Sequence, residues 1–255
     1  MSQQSSGPVV VITGASAGIG AALARELAAR HASLVLIARR EAQLEEMAAA
    51  LGTPAEVVPG DVTHRADLER ALERAMARFG GVDVWVNNAG HGITRSSIEA
   101  ITPEDLDVMV RDNTRSALLG MQVVLPHFKA RKGGVLVNVS SMLSRVPDVP
   151  VRAAYSAAKA ALNSLTESLR FELAREFPGI RIVLVLPGVV ATDFGNNALG
   201  GGVDSRSIPG AQPVDEVARI IADGLFAGPL DLYTRPGSLA RVLGHVDGLA
   251  GRRPA

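Results

Sequence analysis

The chain has 255 residues, 47% of them apolar, with Lys+Arg and Asp+Glu balanced at 26 each, so it carries no net field that would draw in a nucleic acid. It has no cysteine, which excludes disulfides and thiolate metal sites, and its five histidines (His31, His64, His91, His127 and His245) are too scattered for a short ligand motif, so no metal is expected. No apolar run approaches the roughly 18 residues that span a bilayer, and Met1 to Gly7 is polar, so the expectation is a cytoplasmic chain with a small-molecule ligand and no membrane partner.

Short Val, Ile and Leu runs alternate with longer Ala, Leu, Glu and Arg stretches at helical spacing, the pattern of an α/β domain in which parallel strands are joined by crossover helices. One domain over residues 1–255 is expected. The first strand is predicted at Val9 to Ile12 and the first helix over 18–30. Between them lies Thr13-Gly14-Ala15-Ser16-Ala17-Gly18-Ile19-Gly20. Glycines here let backbone approach a pyrophosphate, whose charge is held by free N–H groups at the helix start. In a chain with 26 glycines the offsets alone are a weak signal; the strand before and helix after strengthen it. Gly14, Ser16, Gly18, Ile19 and Gly20 are therefore candidate cofactor contacts.

A second strand, Leu34 to Ile37, ends in Ala38-Arg39-Arg40, about where an acidic residue would bind the ribose of NAD. Arg39 and Arg40 instead offer two guanidinium groups for a 2′-phosphate, with Ser16 within reach, so NADP is expected in preference to NAD. A helix over 41–51, a strand at Glu56 to Val58, a helix over 65–79 and a strand at Val82 to Val86 follow. One long helix is predicted over 103–129, capped by Thr102 with Pro103 in its first turn. Strand Gly134 to Val139 precedes a helix over 153–177, which opens with Tyr155-Ser156-Ala157-Ala158-Lys159.

Four residues make about one helical turn, so Tyr155 and Lys159 share a face. A phenol of ordinary pKa near 10 carries protons poorly at neutral pH, and a nearby cation lowers that value, so the pair forms an acid/base. With two tyrosines and three lysines in the chain (Lys129, Lys132 and Lys159), this spacing seldom arises by chance. After the strand Ile180 to Leu186, residues 193–212 are glycine-rich and without periodicity, and read as a flexible lid. A helix over 213–227, a strand at Asp231 to Tyr233 and a tail from Pro236 complete the chain; the tail has a weak helical pattern.

From Val9 to about Tyr233 the chain resembles the short-chain dehydrogenase/reductase family in its single-domain branch. The residues that carry the resemblance are the Thr13 to Gly20 loop, Asp61-Val62, Asn87-Asn88-Ala89-Gly90, Asn113, Ser140-Ser141, Tyr155 with Lys159, and Pro187-Gly188 with Thr192. The resemblance implies a doubly wound Rossmann fold with seven strands in the order 3-2-1-4-5-6-7. It also implies a hydride transfer that reduces a ketone, aldehyde or 3-oxoacyl carbonyl to an alcohol, or the reverse. In it Tyr155 donates the proton, Lys159 lowers the tyrosine pKa and holds the nicotinamide ribose, Ser141 binds the substrate oxygen and Asn113 fixes a relay water.

By the same resemblance Asp61 and Val62 contact adenine, and Asn88, Ala89 and Gly90 line the adenosine side. Pro187, Gly188, Val190 and Thr192 lie at the carboxamide end. A pocket wall of Ile93, Met142, Leu143, Val146, Val149, Phe194 and Leu199, with Arg145 and Arg152 nearby, is mostly apolar and fits an apolar ketone or an acyl thioester. A homodimer or homotetramer is implied, the dimer through the long helices near 103–129 and 153–177. The competing class is an NADP-binding sensor or scaffold without catalysis, which would have no need of Tyr155.

Overall fold

The computed structural model describes residues 7–252, so the ends of the expected 1–255 domain lie outside the described residues. Seven parallel strands form one sheet: β1 (Val9–Thr13), β2 (Ser33–Ala38), β3 (Ala55–Pro59), β4 (Val84–Asn87), β5 (Gly134–Val139), β6 (Ile180–Leu186) and β7 (Asp231–Tyr233). Their spatial order is β3-β2-β1-β4-β5-β6-β7, the order expected. The strands are apolar almost throughout because both faces are covered. Val10, Ile12, Leu34, Leu36, Val84 and Val86 point to one side. Val11, Val35, Ile37 and Trp85 point to the other. Alternate side chains thus feed two separate cores, as the two-residue period of a strand requires.

The helices divide accordingly. Helix α1 (Gly18–Ala29) and α7 (Val214–Gly224) pack together on the first face through Leu23, Leu27, Val217 and Ile221, with α2 (Glu41–Ala50) contributing Leu44. On the second face lie α3 (Arg65–Phe79), α5 (Ser116–Arg131) and α6 (Ala153–Leu173), through residues such as Leu68, Phe128 and Leu162. This is the doubly wound arrangement, in which the strand order reverses beside β1 and ligands bind beyond the strand carboxyl ends.

One expectation about the helices changes. The predicted single helix over 103–129 is interrupted: α4 (Pro103–Val110) opens with the expected Thr102 cap and Pro103, but residues Arg111–Arg115 form a π turn before α5 begins. The Asn113 side-chain amide donates to the Met109 carbonyl at 3.1 Å, competing with the regular helical ladder. The tail forms a true helix, α8 (Ser238–Leu249), with Leu239, Leu243, Val246 and Leu249 exposed. Residues 193–212 hold one short 3₁₀ turn at Ser205–Ser207 and are tied down at Leu199, which donates to the Gly92 carbonyl and accepts from Thr94, both at 2.9 Å. No helix among the described residues is long and apolar enough to cross a membrane.

Candidate active site

The loop between β1 and α1 is shaped by close approaches. Gly14 has φ +65°, a left-handed conformation that disfavours any side chain, and a Cβ there would lie 2.8 Å from Ala89 Cα. At Gly20 a Cβ would stand 2.6 Å from Asn88 Nδ2 and press into the Gly14 carbonyl. The loop is clipped to β4 by Thr13 and Asn88: the Thr13 hydroxyl accepts from the backbone N–H of Asn88 and Ala89 at 2.9 and 3.0 Å, and Asn88 Nδ2 donates to the Thr13 carbonyl at 2.9 Å. Helix α1 starts at Gly18 with no side-chain cap, so its first N–H groups remain available to an anion. Across the gap, Thr192 Cγ2 lies 3.7 Å from where a Gly18 Cβ would be, so the loop and the residues after β6 face one another.

At the carboxyl end of β2, Arg40 donates from Nη2 to the Ser16 hydroxyl at 3.1 Å. Arg39 is exposed beside it and attracts the Asp61 carboxylate. Burial works to raise the pKa of Asp61, but the N–H and hydroxyl of Thr63, at 2.9 and 2.8 Å, together with Arg39, hold it below the usual carboxylate value. One carboxylate oxygen of Asp61 is thereby committed to shaping the turn after β3, next to Val62.

At the other end, the four residues singled out for catalysis come together. Tyr155 lies in the first turn of α6 and is 7% exposed; Lys159, one turn on, is 4% exposed. Ser141, just after β5, acts through its hydroxyl to lower the phenol's pKa against the effect of burial. Its neighbour Ser140 is spent elsewhere, donating to Asn163 Oδ1 at 2.6 Å, which favours Ser141 of the pair. Asn113 is fully buried on the π turn: its amide nitrogen donates to the carbonyls of His91 and Met109, while its Oδ1 has no partner. A Cβ on Gly90 would lie 2.5 Å from Asn113 Oδ1 and 3.4 Å from Lys159 Nζ, so these two groups converge on the backbone after β4.

One electrostatic expectation changes. The groups that oppose burial at Tyr155 are Ser141 and Arg152, and Lys159 is not among them. The Lys159 ammonium donates to the Val139 carbonyl at 2.8 Å and stands 5.8 Å from the centre of the tyrosine ring. Burial prevails for both residues: it pushes the phenol up to about 12 and pulls the ammonium down to about 8. The pocket wall also differs from expectation. Leu143 and Phe194 flank Tyr155, and the Phe194 ring meets the Tyr155 ring edge-on at 5.5 Å. Met142, however, packs into the core with Leu184 and Leu186. Arg145 is held by Glu167 and Asp231.

The sequence model for "short chain dehydrogenase" matches residues 8–199. The chain belongs to the short-chain dehydrogenase/reductase family. An uncharacterized oxidoreductase of Staphylococcus epidermidis is 38% identical over 193 residues, covering 73% of this chain and 82% of its own. Among solved structures, a short chain dehydrogenase/reductase from Burkholderia phymatum in complex with NAD superposes with a TM-score of 0.85 at 26% identity, covering 99% of this chain and 98% of that one. A short-chain dehydrogenase from Sphingobium yanoikuyae in complex with NADPH gives a TM-score of 0.80 at 29% identity, covering 97% and 96%.

Within this short-chain dehydrogenase, sequence reasoning passed over three side chains. The sequence pattern shows Thr13 only as part of a loop, whereas its hydroxyl is the clip between β1 and the backbone after β4. His91, set aside as a lone histidine, pairs through Nε2 with Asp112 Oδ2 at 2.6 Å and so ties the Asn88–Gly90 backbone to the π turn carrying Asn113. Asp112 Oδ1 also accepts from Arg111 at 2.6 Å. The Asp112 contact raises the His91 pKa; Asp112 itself is brought to about 2, because His91 and Arg111 outweigh its burial. The third, Arg152, was noted only as near the pocket. Its position three residues before Tyr155 was the available signal.

Proposed function

We propose that this short-chain dehydrogenase is an NADP-dependent reductase that converts a carbonyl group of a small substrate to an alcohol. The observation that carries the reading is the convergence, at the carboxyl edge of the sheet, of a buried phenol, a serine hydroxyl acting on it, a buried ammonium and an unpartnered amide oxygen. The dinucleotide fits the residues present. Gly14 and Gly20 let the loop pack against Asn88 and Ala89, which leaves the uncapped start of α1 to face its pyrophosphate, and Ser16, Arg39 and Arg40 offer donors to a 2′-phosphate. Pro187, Gly188, Val190 and Thr192 would border its carboxamide end. When bound, the cofactor supplies the hydride.

The chain's own residues handle the proton. With its pKa at about 12 the Tyr155 phenol is almost wholly protonated at neutral pH, which suits it to donate from Oη to a carbonyl oxygen as that oxygen gains negative charge. Ser141 Oγ donates a second hydrogen bond to the same oxygen and orients the substrate. Asn113 Oδ1 accepts from a water that passes a proton onward from Lys159, whose value of about 8 lets it give up and regain a proton near neutrality. The protonated phenol favours reduction over oxidation as the ready direction.

The test is NADPH and NADH oxidation followed at 340 nm with a panel of ketones, aldehydes and oxo acids. Carbonyl-dependent oxidation of NADPH, faster than that of NADH, is expected. Tight NADPH binding with no turnover on any carbonyl would replace this reading with that of a non-catalytic sensor.

A further inference from the structure

We propose that the substrate of this enzyme is an oxo acid whose carboxylate is held by Arg152 beside the carbonyl to be reduced. The inference rests on the carbonyl-reductase reading above and names its substrate class. Arg152 occupies the position immediately before α6, three residues before Tyr155. Its guanidinium interacts electrostatically with the phenol. Phe194 adjoins both: a Cβ on Gly92 would meet Arg152 Nη1 at 2.8 Å and Phe194 Cε1 at 2.9 Å, and Phe194 stacks edge-on against Tyr155. A Cβ on Gly202 would stand 3.0 Å from Arg152 Nη2. Two glycine backbones therefore let the guanidinium pack closely against them, beside Phe194 and the acid.

The cation has no anion. Several other guanidinium groups are paired: Arg95 with Asp105, Arg111 with Asp112, Arg145 with Glu167 and Asp231, and Arg206 with Asp193 and Asp204. Arg152, among the described residues, has no carboxylate within ion-pair distance, and its guanidinium makes a single hydrogen bond, from Nη1 to the Ile93 carbonyl at 3.1 Å. It is half-buried, and burial pulls its pKa below the usual guanidinium range. An arginine desolvated without a counter-ion is an unfavourable element of a fold, and a ligand carboxylate relieves it through charge-assisted bonds. Arg152 acts on the Tyr155 phenol through its charge and both adjoin Phe194, so the carboxylate and the reacting carbonyl belong on one short substrate.

The experiment compares matched pairs with the full-length enzyme and NADPH: straight-chain 2-oxo to 5-oxo acids and their methyl esters, in wild type, Arg152→Met and Arg152→Lys. In wild type, kcat/KM for the best acid should exceed that for its ester by at least about a hundredfold, the scale of a charged hydrogen-bonded pair. In Arg152→Met the acid-to-ester ratio should fall to near one, and Arg152→Lys should restore part of it. A general structural defect would lower both members of a pair and leave the ratio intact, so an undiminished ratio in Arg152→Met would overturn the proposal. If that variant does not fold, the lysine variant and competitive inhibition of wild type by the matching saturated acid serve instead, and no inhibition would be contrary. Esters reduced as well as acids would overturn the oxo-acid assignment while leaving carbonyl reduction standing. Turnover of neither class, with NADPH bound, would remove the reductase reading and this assignment together.

Discussion

Replacing Lys159 with methionine should make the protein more stable and less active at once. Burial brings the ammonium from its ordinary 10.5 to about 8, so at neutral pH the fold holds a cation it disfavours. A difference of that size corresponds to about 3 kcal/mol. The folded value lies below the unfolded one, so the penalty is fully present below about pH 8 and fades as pH rises toward 10.5. Methionine fills similar space without charge and gives up the hydrogen bond to Val139, worth about 1 kcal/mol, which leaves a net gain of about 2 kcal/mol. For a chain of this size that is a rise in Tm of roughly 4–8 °C. Thermal unfolding by circular dichroism at pH 7 and pH 10, without cofactor, measures it, with carbonyl reduction assayed in parallel. A lower Tm for Lys159→Met at pH 7, or a gain that does not shrink at pH 10, would refute the claim that this lysine is held at the expense of stability.

Arg39→Asp places a carboxylate where the proposed 2′-phosphate lies and should move the NADPH-to-NADH preference in kcat/KM by at least about tenfold toward NADH; a wild type that already prefers NADH would contradict the cofactor assignment. Gly20→Ala forces a methyl group against Asn88 Nδ2 and the Gly14 carbonyl, so it should lower stability by about 1–3 kcal/mol and weaken NADPH binding in a fluorescence titration. The His91–Asp112 contact stabilises the fold while His91 is protonated. Because the folded pKa of His91 is raised, that contribution is complete below about 6.5 and is lost as pH rises through the higher folded value. Denaturant titrations from pH 6 to 9 should therefore show wild type losing stability relative to His91→Gln.

The strands and most helices could be read from the chain because parallel strands buried on both faces leave long Val and Ile runs, and crossover helices leave an Ala and Leu stripe. The π turn at Arg111–Arg115 could not be read this way, since one extra residue in a turn leaves the apolar pattern of residues 103–129 almost unchanged. Tyr155 and Lys159 were visible through spacing on a single helix, and Gly14 to Gly20 through a strand-to-helix junction. The balance of forces on Tyr155 was not visible. It depends on burial, on a serine from another strand and on an arginine whose freedom from any carboxylate is a tertiary property. Thr13 and His91 were missed for a related reason: each acts on backbone or side chains more than twenty positions away.

Reduction depends on the Tyr155 hydroxyl as proton donor, and Tyr155→Phe tests this with the smallest change available. Single-turnover reduction of a carbonyl substrate by NADPH should slow by at least about a hundredfold in this variant, with the dissociation constant for NADPH within about twofold of wild type. Reduction at a near-normal rate by Tyr155→Phe would contradict it.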